Sequence, residues 1–238
     1  MLIAAAWLGL AAGAATINSS LAGPNPNPGI IPINARHGGL TYGEWLAKLD
    51  QWYYSIPAPI NPALVGNEQY LSVGQPEELW FLVNVVPVVD RHFTVPAGKA
   101  LFVTIFTPEW DNTLCVSPPT SYSVDELRAL AKANADSLTD IHVDIDGAPV
   151  NDVTKYRATS PVFFSTIPDN NLFEALGCSN KAGTYGPMVA DGYFLITTPF
   201  PPGEHTIHET GVVHVVPGDP TQDVHIDVLW HITVVGGK

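Results

Sequence analysis

The chain has 238 residues, of which 46% are hydrophobic and only 14% charged, and its formal net charge is −13. That length and apolar content suffice for one large core, while the acidic excess repels phosphate backbones and anionic bilayers and so argues against nucleic acid as a partner. The 22 prolines and 20 glycines imply many turns between short strands, which excludes a simple helical bundle.

Residues Leu2 to Ala15 form an apolar run too short for a membrane span and end in small residues, Ala11-Ala12-Gly13-Ala14-Ala15. This is the form of a secretory signal cleaved near Ala15, although a basic leading segment is missing. Residues 16–35, with Ala22-Gly23-Pro24-Asn25-Pro26-Asn27-Pro28-Gly29 at their centre, form a Pro/Asn/Gly linker. One folded domain is expected over 36–238, without a membrane span in the mature chain. Export also suits the two cysteines, Cys115 and Cys178. With no C-x-x-C or metal spacing, they are expected to pair in a disulfide.

Thr41-Tyr42-Gly43-Glu44 has the pattern of a capping box, and Trp45, Leu49, Trp52 and Tyr53 follow at helical spacing until Pro57. Strands are expected over Leu79 to Val83, Val85 to Val95 and Ala100 to Thr107. The last of these is nearly all apolar, so it should be central and covered on both faces. Ser123-Val124-Asp125-Glu126 is a second capping box, opening a helix with Leu127, Leu130, Ala131 and Leu138 on one stripe. Further strands are expected over Ile141 to Asp146, near Tyr156 to Phe164 and over Gly192 to Thr198, with Asp146-Gly147 as a turn. The pattern is mainly β, a two-sheet antiparallel β-sandwich of immunoglobulin-like or jelly-roll type with two inserted helices.

The C-terminal segment carries the strongest periodicity. Val224, Ile226, Val228, Trp230, Ile232 and Val234 alternate with His225, Asp227, Leu229, His231 and Thr233, giving one apolar and one polar face. The preceding strand, Glu204 to Val216, carries His208 and His214. A hairpin across Pro217-Gly218-Asp219-Pro220-Thr221-Gln222 that sets His208 opposite His231 and His214 opposite His225 satisfies both patterns. It leaves Glu209 on the apolar side, a misfit that a bulge near Gly211 would relieve.

On that face His214, His225 and Asp227 are candidate ligands for zinc or copper, with His208 and His231 as a second candidate pair. Six residues of strand span about 20 Å, so the two pairs cannot share one ion. The competing reading is a solvent-facing polar face, or opposed imidazoles that repel when protonated. A cupin-like centre on His205, His208 and Glu209 fails, because a spacing of three turns the two imidazoles to opposite sides of a strand. Asp144, Asp146 and Asp152, near Asn151, are candidate calcium ligands without EF-hand spacing. No nucleophile elbow, zincin helix, phosphate loop or dinucleotide fingerprint is present.

Pro202-Gly203-Glu204-His205-Thr206-Ile207 resembles the turn-and-strand opening of immunoglobulin-like and fibronectin-like domains, with His205 where a Tyr often stands. The resemblance implies a structural corner at His205. Thr41-Tyr42-Gly43-Glu44-Trp45, Trp80-Phe81-Leu82, Val95-Pro96-Ala97-Gly98-Lys99-Ala100-Leu101-Phe102 and Ala190-Asp191-Gly192-Tyr193 look like landmarks of uncharacterised secreted bacterial β-sandwich proteins. That likeness implies export and the fold, and carries no catalytic residues. Three functions follow as expectations. The first is a secreted protein binding an extracellular glycan or protein partner. The others are a metal-dependent enzyme on the histidine face and a self-assembling surface protein.

Overall fold

The structure is a computed structural model describing residue 27 and residues 29–236, so the expected signal sequence lies outside the described residues. Among the described residues, eleven strands, three helices and four short 3-10 turns follow in chain order. α1 (Tyr42–Tyr54) and α2 (Val124–Asp136) each begin with a capping box, Thr41 with Glu44 and Ser123 with Glu126. In each, the cap hydroxyl takes one free N–H of the first turn and the glutamate takes the cap's own N–H. A third short helix, α3 (Leu172–Ala175), starts on the Asn171 side chain.

The first sheet is built on β9 (Gly183–Ile196), much longer than the expected Gly192 to Thr198. β3 (Ala100–Phe106) and β4 (Glu109–Trp110) pair with it antiparallel, as do β7 (Arg157–Thr159) and β8 (Phe163–Ile167). The last two replace the single strand expected near Tyr156 to Phe164. Pro161 lies between them and has no N–H to donate to a ladder. β1 (Leu79–Leu82) joins β3 in parallel. The second sheet has the order β2 (Val88–Pro96), β11 (Val224–Val235), β10 (Gly203–Val213), β5 (Leu138–Ile145) and β6 (Ala148–Pro149). Its β2 and β11 are also parallel, so both sheets are mixed where antiparallel sheets were expected. The cause is chain routing: β1 and β3 share one sheet while β2 between them lies in the other, and a strand that leaves and returns can run parallel to its predecessor.

Phe93, Ile207, Val228, Trp230 and Ile232 from the second sheet meet Phe81, Phe102 and Phe194 from the first in one core. Phe102 and Phe194 stack at 4.3 Å, and Phe93 and Trp230 at 5.7 Å. α1 packs over β7, β8 and β9, with Trp45 and Trp52 both against Phe81. As expected, β3 is buried through six of its seven residues. In α2 the buried residues are Leu127, Ala131 and Ala135, while Leu138 already begins β5. Arg157 ties α2 to the sheet, reaching Asp136 at 2.6 Å and Asp191 at 2.8 Å.

Packing also begins ahead of Arg36, the expected start of the domain. Ile30 is buried and bridges Thr197, and Ile31 N–H donates to Ile196. Cys115 and Cys178 are disulfide-bonded. Arg91, buried on β2, donates to the carbonyls of Pro62, Ala63, Leu64 and Val83 and sits 3.2 Å from Glu68. It thereby ties the irregular segment 62–68 to the second sheet. No helix among the described residues is long and apolar enough to cross a membrane.

Candidate functional site

β3 ends at Phe106, and Thr107-Pro108 turn the chain toward β4. Val213 on β10 and Val224, Ile226 and Val228 on β11 line the space opposite this end of the first sheet. The result is a cavity of about 390 Å³ between the sheets. Val83, Val85, Val86 and Pro87 form another wall, and Ile105, Phe106 and Tyr53 line the inner end. Pro87 and Val224 are exposed at the mouth. Asn84 and Thr107 are among its few polar lining residues.

Behind Tyr53 lies a buried acid and phenol cluster. Asp50 is fully buried on α1, with the Tyr53 phenol as the neighbour that offsets part of the cost of its burial. Tyr53 and Tyr54 meet edge to face at 4.5 Å, and Tyr54 Oη donates to Glu109 Oε2 at 3.4 Å. Burial pushes both carboxyls well above the usual carboxylate range, and at Glu109 the nearby Asp50 and Asp111 push further. Burial likewise raises the Tyr53 and Tyr54 phenols. Two dry carboxyls in electrostatic reach of each other favour their neutral forms. Of this cluster, Tyr53 is the member that lines the cavity. A lone Asp among the aromatic residues of an amphipathic helix was the available signal for this cluster, and the sequence reading passed over it.

The histidine face is the outer face of the second sheet. The hairpin register is slipped by two residues from the expected one, so His208 faces Leu229 and His225 faces Val212. A two-residue slip leaves every side chain on its expected face but changes all its neighbours. His208 Nε2 lies 2.8 Å from Asp227, and His214 Nδ1 lies 3.0 Å from Asp223. Among the described residues no group of three ligating atoms gathers His214, His225 and Asp227, and the register sets His208 opposite Leu229 and His231 opposite Thr206.

His231 instead stacks on His92 of β2, with ring centroids 4.4 Å apart, and both approach Asp90. Asp90 and His92 are the residues that sequence reasoning missed. Their i, i+2 spacing on a strand was visible, but the adjacency of β2 to β11 was not. The calcium candidates are dispersed: Asp146 holds His205, Asp152 pairs with Lys155, Asp144 faces His208 and Asn151 bonds Asn27.

His205 lies near the start of β10, held at both ring nitrogens. Nδ1 lies 2.7 Å from Asp146 and Nε2 lies 2.9 Å from the Pro201 carbonyl. Trp45, Trp52 and Trp80 are buried, and Trp110 packs on the Leu127 cluster, which leaves no exposed platform of these tryptophans for a sugar ring.

Neither a family model, nor a curated protein, nor a solved structure resembles this chain. Function is therefore argued from the cavity and the side chains around it.

Proposed function

We propose that the chain is an exported binding protein whose β-sandwich takes a small, uncharged, mainly apolar ligand between its two sheets. The observation that carries this reading is the apolar cavity of about 390 Å³, walled by both sheets and ended by Tyr53. Cavities of this size with apolar walls and few polar groups are the usual form of small-molecule sites. Among the described residues no charged side chain lines the cavity, which suits a ligand without formal charge, because a charged group would lose its hydration without a counter-ion in exchange. The disulfide supports export. Burial of the tryptophans favours this reading over glycan capture on an aromatic surface.

A neutral environment-sensitive fluorophore such as N-phenyl-1-naphthylamine tests it. Saturable binding to the wild type is expected, with loss in Val224→Trp, which fills the mouth from an exposed position. Ile105→Phe, at the inner end, should weaken binding in parallel. No saturable binding, or equal binding to Val224→Trp at unchanged melting temperature, would sink the proposal.

A further inference from the structure

We infer that Asp90, His92 and His231 form a binding site for a divalent transition-metal ion on the outer face of the second sheet. The parallel register of β2 and β11 sets His92 directly beside His231, and strand alternation returns Asp90 to the same face two residues earlier. One ligand atom from each of the three lies within 4.8 Å of the others. Asp90 Oδ1 is 3.4 Å from His92 Nε2 and 3.2 Å from His231 Nε2. In a tetrahedral centre with bonds of about 2.0–2.1 Å, neighbouring ligand atoms stand about 3.3–3.4 Å apart. Two edges of such a tetrahedron are therefore already near their length.

The donor set selects the ion. Two imidazoles and one carboxylate suit zinc or copper(II), whereas calcium and magnesium prefer oxygen alone. The chain's net charge of −13 draws cations of any kind toward the surface.

His92 also borders a hollow of about 410 Å³, which it lines with Thr94, Glu68, Gln69 and Ser72. Glu68 is held there by Arg91, so water or an outside ligand completes the shell. This is the pattern of an exchangeable site with an open position, not of a closed structural one.

One rearrangement is required. The two rings now lie within 9° of parallel, which aims their lone pairs side by side instead of at one point. His92, with 74% of its side chain exposed against 34% for His231, has the room to turn. No ring nitrogen has to be uncovered from the core, and the site is separate from the apolar cavity on the inner side of the same sheet.

The test is calorimetric titration of the purified full chain with Zn²⁺ and with Cu²⁺ at about pH 7.5. Binding of one ion per chain is expected. His231→Gln, His92→Gln and Asp90→Asn should each weaken affinity by roughly tenfold or more at an unchanged melting temperature. His225→Gln should leave it unaltered. No saturable binding in the wild type, or binding that survives the His92→Gln/His231→Gln double variant, overturns the inference. Loss of binding in His208→Gln with retention in His92→Gln overturns it equally, because the ion would then belong to another pair.

Discussion

Trp230 donates its indole N–H to Glu209 Oε1 at 3.1 Å across the inner face of the β10–β11 hairpin, and Glu209 is fully buried there. Its second oxygen, Oε2, has no partner. The residue that looked like a misfit on an apolar face is the acceptor that satisfies the largest buried side chain of the core. Burial pushes its carboxyl well above the usual range, against the smaller opposing effect of the Trp230 bond. The bulge expected near Gly211 is present, on the side where β10 meets β5.

A raised carboxyl pKa fixes the sign of the pH dependence. Below about pH 4.5 the group is protonated in both states and pH has no effect through it. As pH rises from there toward the folded pKa, the unfolded chain releases a proton that the folded chain keeps, and stability falls by about 1.4 kcal/mol per pH unit for each such group. Asp50 and Glu109 act in the same direction. Glu209→Gln keeps an acceptor for Trp230, so it should flatten the decline and leave the protein more stable than wild type at pH 8. Urea denaturation at pH 5 and pH 8 reads this directly, and equal slopes for the two proteins would contradict it.

His205 should show a dependence of its own. Burial works against its charged form, but the bonds to Asp146 and the Pro201 carbonyl outweigh that effect and raise its pKa. Both ring nitrogens face acceptors, and only the imidazolium donates to both. The stabilisation is fully present below about pH 6.5 and is lost as pH rises through the raised folded value. Because Asp146 is half exposed, solvent screens the pair to about 1 kcal/mol or less. A double-mutant cycle of His205→Gln with Asp146→Asn should give a coupling at pH 6 that disappears at pH 9.

Gly43 lies in the first turn of α1, where alanine would ordinarily be favoured by about 1 kcal/mol. Here a Cβ would stand 2.2 Å from the backbone carbonyl oxygen of Thr159, and neither backbone can yield without moving the helix off β7. Gly43→Ala should therefore destabilise by about 3 kcal/mol or more. Gly192→Ala, with a Cβ 2.2 Å from the Phe106 carbonyl oxygen, should behave alike. Thermal melts of both variants check this.

The Cys115–Cys178 bond closes a loop with a sequence separation of 63. A loop of that size restricts the unfolded chain by an amount worth about 4 kcal/mol at most. The Cys115→Ala/Cys178→Ala double variant should lose about 2–4 kcal/mol, measured by denaturant unfolding against the oxidised wild type. A loss below 1 kcal/mol would mean that the bond constrains little.

Elements whose signals are local were legible from residues alone. Capping boxes at Thr41 and Ser123 place two helices because the reciprocal bonds lie within four consecutive residues. The run from Ala100 to Phe106 reads as a central strand because it has no polar face to turn toward water. Alternation from Val224 to Val234 assigns each side chain of β11 to the core or to solvent.

What alternation cannot supply is offset. A slip of two residues preserves every facing, so the register with His208 opposite His231 and the observed one with His208 opposite Leu229 look the same to a period-two pattern. Contacts outside the hairpin distinguish them, with β2 on one side of β11 and β5 on one side of β10, and within it Glu209 takes its place beneath Trp230. The same limit applies to both sites. The cavity and the Asp90, His92 and His231 cluster are made by strands distant in sequence, and which strands become neighbours is decided by burying both sheets and α1 together.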